Sequence, residues 1–262
     1  MSMMRPTENG RCSIPCRSRI GTGAGRFGSV VLAVVSLALP TSNAAGQELG
    51  VFYPNIPGEL LLENDKVVVQ KFIVEPGQWE GVHTHPGDQI YIHIRGGEWT
   101  VRTGGQETVS NSADGSVGWW GAIGEDEQHE SGNTGDTPIE LVWVTLKPCT
   151  LLSNHSVGTF YPDIPGELLL ENQRVVVQRF IVEPGQWEGI HSHPGEQLYV
   201  HVRGGVWSGR RNGLEDVGTE PSLAGSVGWM AAVELSEQHN SGNTGDTTIE
   251  LIWITLKPCT PA

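Results

Sequence analysis

The sequence predicts an all-β protein, two tandem double-sheet jelly-roll barrels that follow a cleaved export signal. Three observations carry that class. A pattern about one hundred residues long is written twice: Phe-Tyr-Pro-x-Ile-Pro-Gly-Glu-Leu-Leu-Leu-Glu-Asn starts at Phe52 and again at Phe160. Short runs rich in β-branched residues end repeatedly at Gly and Pro turns. No stretch of the remaining chain sustains a helical period with caps. Many short strands between turn signals imply two packed sheets rather than helices on a sheet.

Taken in order, the first element is not part of the folded protein. Arg5, Arg11, Arg17, Arg19 and Arg26 precede an apolar run from Val30 to Leu39, followed by Pro40 and Thr-Ser-Asn-Ala-Ala. A basic start, an apolar centre and a small-residue site make a secretory signal peptide over residues 1–44, cleaved after Ala44. The apolar run is too short to cross a bilayer, so no stable membrane insertion is expected and the protein should be periplasmic or secreted.

The first domain is expected over 49–149, a linker over 150–156 and the second domain over 157–259. Tyr53 matches Tyr161 at an offset of 108, whereas His129 matches His239 at 110. Two extra residues therefore lie between these points, in the Gly- and Asn-containing stretch from Arg210 to Gly225, where a surface loop tolerates insertion. Within the first copy, Val67 to Val74 and Ile139 to Leu146 are β-rich runs closed by Pro76-Gly77 and Pro148. The run Gln89-Ile-Tyr-Ile-His-Ile-Arg95 alternates and stops at Gly96-Gly97. Alternation places Gln89, Tyr91, His93 and Arg95 on one face and Ile90, Ile92 and Ile94 on the other. A wet row of three isoleucines would cost solubility, so it should pack against the other repeat or against a second subunit in a homodimer. In the second copy Leu198, Val200 and Val202 take the outer face, with Tyr199, His201 and Arg203 inside.

Removal of the signal takes five basic residues and one acidic residue from totals of 16 and 30, leaving 11 and 29 and a formal charge of −18. So acidic a chain excludes nucleic acid as a partner and leaves a small molecule as the expected one. Of four cysteines, Cys149 and Cys259 remain, each within Leu-Lys-Pro-Cys-Thr. The reading expects two separate, partly buried thiols, with a disulfide as the alternative that an oxidising compartment permits.

The residues that carry chemistry recur at fixed spacing. The first copy reads Gly77-x5-His83-x-His85-x3-Gln89-x6-Gly96, then Gly118-x10-His129-x3-Asn133. The second reads Gly185-x5-His191-x-His193-x3-Gln197-x6-Gly204, then Gly228-x10-His239-x3-Asn243. His-x-His on a strand puts two imidazoles on one face, and imidazole suits Zn, Cu, Fe or Ni. The sharper reading is a mononuclear metal site per copy, and the blander one a decayed site. All four ligand positions are filled in both copies, which favours the former.

These spacings resemble the two-part signature of the cupin superfamily, and the chain is similar to a bicupin over about residues 50–259. Gln89 and Gln197 stand where that family usually has Glu. The second part departs at its Pro and inner Gly positions, here Gly124 and Asp126, or Glu234 and Ser236. The resemblance implies metal ligands at His83, His85, Gln89 and His129, and at His191, His193, Gln197 and His239. It implies one divalent transition metal per domain: Fe, Mn, Ni, Zn or Cu. A neutral amide leaves the ion more Lewis acidic and removes a built-in carboxylate base. Proton transfer then falls to His93 and His201, with Tyr91 and Tyr199 behind them, although packing is the plainer role for all four. Trp79, Trp187 and the Trp119-Trp120 and Trp229-Met230 pairs are expected mainly in the core, and the Glu125-Asp126-Glu127 run as a solvated loop. The implied function is a metal-dependent enzyme on a small oxygenated molecule, first a dioxygenase. The alternatives are a sugar- or uronate-modifying isomerase or lyase, and a non-catalytic periplasmic carrier of a metal or small ligand.

Overall fold

The computed structural model describes residues 53–152, 158, 161–193, 195–211, 213–234 and 236–261. The signal segment expected at 1–44 and residues 153–156 of the expected linker lie outside them. No described helix is long and apolar enough to cross a membrane.

The first copy forms nine strands: β1 (Glu59–Glu63), β2 (Val67–Val74), β3 (Gln89–Arg95), β4 (Gly97–Thr103), β5 (Gln106–Ser112), β6 (Val117–Trp120), β7 (His129–Asn133), β8 (Ile139–Leu146) and β9 (Cys149–Leu151). The second repeats them: β10 (Glu167–Glu171), β11 (Val175–Val182), β12 (Gln197–Arg203), β13 (Trp207–Arg211), β14 (Leu214–Asp216), β15 (Val227–Met230), β16 (His239–Asn243), β17 (Ile249–Leu256) and β18 (Cys259–Pro261). A single 3-10 turn at Glu125–Glu127 is the only helical element among the described residues. Each copy is a jelly-roll barrel of a five-stranded sheet and a three-stranded one. The orders are β1-β2-β8-β3-β6 with β5-β4-β7, then β10-β11-β17-β12-β15 with β14-β13-β16. All recorded pairings within these sheets are antiparallel.

Strand alternation decides where the core sits. In β8, Ile139, Leu141 and Trp143 face the barrel interior, where they pack with Tyr53, Ile56, Phe72 and Val74. Val142, Val144 and Leu146 face the opposite way, alongside Ile90, Ile92 and Ile94 of β3. That outer face meets its counterpart from the second copy, Leu198, Val200, Val202, Ile252, Ile254 and Leu256. The two barrels thus stand back to back over one cluster of sixteen buried aliphatic residues. Burial of each contributes about 1.5–3 kcal/mol over leaving it wet, so the halves are held firmly. The isoleucine row therefore packs against the other repeat. Cross-links of charge flank this seam: Lys66 to Glu196 at 2.6 Å, and Arg174 to Asp88 at 3.3 Å.

Two expectations are corrected. Cys149 and Cys259 are joined in a disulfide, with Cα atoms 5.7 Å apart. Their meeting depends on β9 and β18 pairing across the two copies, Cys259 opposite Leu151, which no local signal announces. Arg95 and Arg203 point outward, not into the barrel. The ladder between β3 and β8 shifts register between His93 and Arg95, so Ile94 keeps the outer face while Arg95 leaves the inner one and pairs with Glu140. Arg203 likewise meets Glu250 at 3.1 Å.

The extra residues of the second copy fall in the span expected. The long β5 of seven residues is matched by a three-residue β14, and the chain then runs without strand to Ser222, whose amide donates to the Gly205 carbonyl at 2.9 Å.

Candidate metal centres

Each histidine set is assembled by backbone pairing. His83 and His129 sit opposite each other in an isolated bridge, with N–H···O distances of 2.9 and 3.2 Å. His85 pairs with Ile123. The second copy repeats this with His191 opposite His239, and His193 opposite Val233. The imidazole centroids of His83, His85 and His129 lie 5.2, 4.3 and 4.7 Å apart. Those of His191, His193 and His239 lie 5.0, 4.2 and 4.6 Å apart. In each set one nitrogen per ring falls within 4.8 Å of the others, so each can hold a metal ion.

The electrostatics suit that use. His83 Nδ1 donates to the Gly81 carbonyl at 2.7 Å, which fixes the proton on Nδ1 and turns the Nε2 lone pair inward. His191 does the same toward Gly189 at 2.8 Å, and its Nε2 lies 3.1 Å from that of His193. Two donors bound at about 2.1 Å to one ion stand about that far apart. Burial, then the neighbouring His129 and His83, drives His85 down to about 3. Burial and His83 bring His129 to about 4. His193 and His239 fall to about 3 and about 4, burial again first. All are neutral near pH 7, the form that ligates. His85 and His83 keep buried ring nitrogens without hydrogen-bond partners, a pattern an ion explains and a packed core does not. Gln89 Nε2 donates to Thr145 Oγ1 at 3.1 Å, leaving its buried oxygen with no partner. Gln197 Nε2 donates to Thr255 Oγ1 at 2.9 Å. The residues present therefore fit a nitrogen-rich metal site of three imidazoles in each copy.

Each set opens on a cavity, about 480 Å³ in the first copy and about 250 Å³ in the second. Tyr91 and His93 line the first, and Tyr199 and His201 the second. His93 Nδ1 lies 3.1 Å from Ser116 Oγ, and burial lowers it to about 4. His201 lies 3.2 Å from Ser226 Oγ and is lowered likewise. Gly118 and Gly228 of the motif have a steric purpose: a Cβ at either would collide with the Tyr91 or Tyr199 phenol. Trp120 stacks on His129, centroids 5.2 Å apart and planes within 8°, and lines the cavity as Trp99 and Trp143 do. Met230 takes the Trp120 place in the second copy. Trp119 and Trp229 pack in the seam between the barrels, and Trp79 lies 3.5 Å beneath the Arg102 guanidinium.

The residue that the sequence reading missed is Glu80, with its counterpart Glu188. Both are buried, at 0% and 1% exposure. Ser131 Oγ donates to Glu80 Oε2 at 2.6 Å, and Ser241 Oγ to Glu188 Oε2 at 2.7 Å. Glu80 Oε2 stands 3.8 Å from His83 Nε2, and Glu188 Oε2 stands 3.8 Å from His191 Nε2. Burial raises each carboxyl to about 8. Gly81, at φ +86°, makes the bend that lets Glu80 and His83 both turn inward. The signal was Trp-Glu-Gly-x-His, written identically at Trp79 and at Trp187.

No family model and no curated protein matches the sequence. Solved structures do share its fold. AerE from Microcystis aeruginosa superposes with a TM-score of 0.56 at 14% identity, covering 78% of this chain and 94% of its own. A variant of oxalate decarboxylase from Bacillus subtilis gives 0.52 at 12%, covering 79% and 78%. Protein Ylba from E. coli gives 0.53 at 10%, covering 80% and 87%. The chain has the bicupin fold. At such identities the likeness bears on the bicupin architecture alone.

Proposed function

We propose that this bicupin is an exported, metal-dependent enzyme for a small oxygenated organic molecule, with dioxygenase chemistry as the leading reaction. One observation carries the reading. In both halves three neutral imidazoles converge beside a cavity that also holds a buried, non-ligating imidazole. The ion, one of Fe, Mn, Ni, Zn or Cu in each half, supplies Lewis acidity toward a substrate oxygen when bound.

The chain's own residues do the rest. Trp99, Trp120 and Trp143 give the first cavity flat apolar walls for a planar ring. No Lys, Arg, Asp or Glu is among its described lining residues, so a neutral or enolic molecule suits it better than a free carboxylate. His93 is neutral and lines the cavity, where its ring accepts a hydrogen bond from a bound hydroxyl and orients it, with the Tyr91 phenol beside it. The Cys149–Cys259 disulfide supports a periplasmic or secreted location, since such bonds persist in oxidising compartments. The acidic charge supports a small molecule rather than nucleic acid as partner.

A second reading has its own observation. Thr103, Gln106, Thr108, Ser110 and Ser112 form a hydroxyl- and amide-bearing wall of the first cavity, which favours a sugar-modifying isomerase or lyase. Oxygen consumption by Fe(II)- or Ni(II)-loaded protein on flavonols, catechols and β-diketones decides the leading reading. Uptake above the metal-free control is expected, and His93→Ala lowers it with metal content intact. No uptake with any metal, despite tight metal binding, makes the protein a carrier. Loss of ultraviolet absorbance from an unsaturated uronate would move the assignment to the second reading.

A further inference from the structure

Gln89 and Gln197 leave both imidazole sets without an anionic donor. A divalent ion there would carry its full charge into a buried site, which is costly without a counter-charge. Resting on the metal reading above, we propose that Glu80 and Glu188 supply the metal centres with the carboxylate that Gln89 and Gln197 lack, each from the flank of its first imidazole.

Three features of the structure carry this. The first is distance: each Glu Oε2 lies 3.8 Å from the metal-facing Nε2 of the histidine three residues on. That is beyond a hydrogen bond but close enough for the carboxyl to act on an ion held by that nitrogen. Glu80 and Glu188 stand outside the clusters formed by the imidazole nitrogens, so each acts as a counter-charge beside the ligand set rather than as one of its donors. The second is burial without a cationic partner. Ser131 and Ser241 donate to Oε2, the Tyr53 and Tyr161 hydroxyls interact with the two carboxyls, and among the described residues no Lys or Arg pairs with either. A buried carboxylate without a cation is costly, and a bound ion supplies one. The third is repetition amid change. Val82 becomes Ile190, Asn55 becomes Asp163 and Glu130 becomes Asn240, yet the Glu, its serine and its distance to the histidine stay the same. Tyr53 and Tyr161 pack edge-on against the same histidines, centroids 4.6 Å away.

The test uses Co(II) with a competing chelator, read by absorbance, in full-length protein. His239→Ala silences the second site, so the isotherm reports the first alone. Adding Glu80→Gln keeps the shape and the Ser131 hydrogen bond but removes the charge. Co(II) affinity should fall by about 10–100-fold, the usual cost of losing a supporting carboxylate, while the Tm of the metal-free protein holds or rises. The Co(II) absorption bands should change with it. Glu188→Gln in a His129→Ala background repeats the measurement in the other half and serves if the first variant does not fold. Superimposable isotherms with and without the Glu overturn the inference, as does a lowered Tm with unchanged affinity, which would make Glu80 a packing residue. If the wild-type protein takes up no Co(II), the metal reading itself has failed and this inference falls with it.

Discussion

The disulfide offers the perturbation with the clearest magnitude. Cys149 and Cys259 are separated by 110 residues, so the bond closes a loop that spans the second barrel. In the chain-entropy account such a loop removes about 16 cal/mol/K from the unfolded ensemble, or about 5 kcal/mol at 25 °C. Little is expected to offset this in the native state. The Cα atoms stand 5.7 Å apart, within the ordinary range, and the β9–β18 pairing holds the two ends together without the bond. The assay is urea unfolding of metal-free protein followed by tryptophan fluorescence, wild type against Cys149→Ser/Cys259→Ser, each with and without reductant. With a slope of about 2–3 kcal/mol per molar, the midpoint of the double variant should fall by roughly 2 M. Reduced wild type should match it. Coincident midpoints would refute the reasoning, and so would two titratable thiols in denatured, never-reduced protein lacking residues 1–44, whose only cysteines are Cys149 and Cys259.

Three further outcomes are expected. His129→Ala should strip metal from the first centre and leave the second loaded; elemental analysis that finds both still filled removes His129 from the ligand set. His93 and His201 are lowered to about 4 by burial, so the fold holds them neutral while the unfolded chain protonates near about 6.5. Their contribution is present above that value and is lost as pH falls toward about 4, at about 3 kcal/mol per pH unit for the pair. His93→Asn/His201→Asn should flatten the acid limb of urea-derived stability across that window, and an unchanged limb counts against burial as the cause. Ile92→Asp places a charge in the seam between the barrels, where Ile92 is fully buried, and should destabilise by several kcal/mol. Ile73→Asp, at a position 46% exposed, is the control, and equal losses would deny that the seam is dry.

Much of this was legible in the sequence because it depends on local spacing. The period-two alternation of Gln89 to Arg95 gave the strand and the apolar face that joins the barrels. The fixed gaps among His83, His85 and His129 gave the imidazole cluster. What escaped depends on distant chain segments. Glu80 owes its burial to Ser131, fifty-one residues on, and to Tyr53, so its neighbourhood cannot be read from its own flanks. The Cys149–Cys259 bond needs two strand ends from different barrels to pair. Arg95 left the inner face through a register shift against β8, and a single extra residue in a ladder leaves no compositional mark.

The two halves differ at the substrate end and agree at the metal end. The three imidazoles, the amide, the buried carboxyl and its serine recur with distances that match within a few tenths of an ångström. The walls do not recur. Trp120 gives way to Met230, Thr103 to Arg211, and the long β5 to a three-residue β14, while the cavity shrinks from about 480 to about 250 Å³. A ligand set tolerates displacement of well under an ångström, because donor distances near 2.1 Å are fixed by the ion. A binding wall has no such constraint and can change one side chain at a time. Equal metal loading with unequal turnover in the two halves follows from that asymmetry. Silencing each centre in turn, with His129→Ala and then His239→Ala, should abolish most of the activity in the first case and little of it in the second.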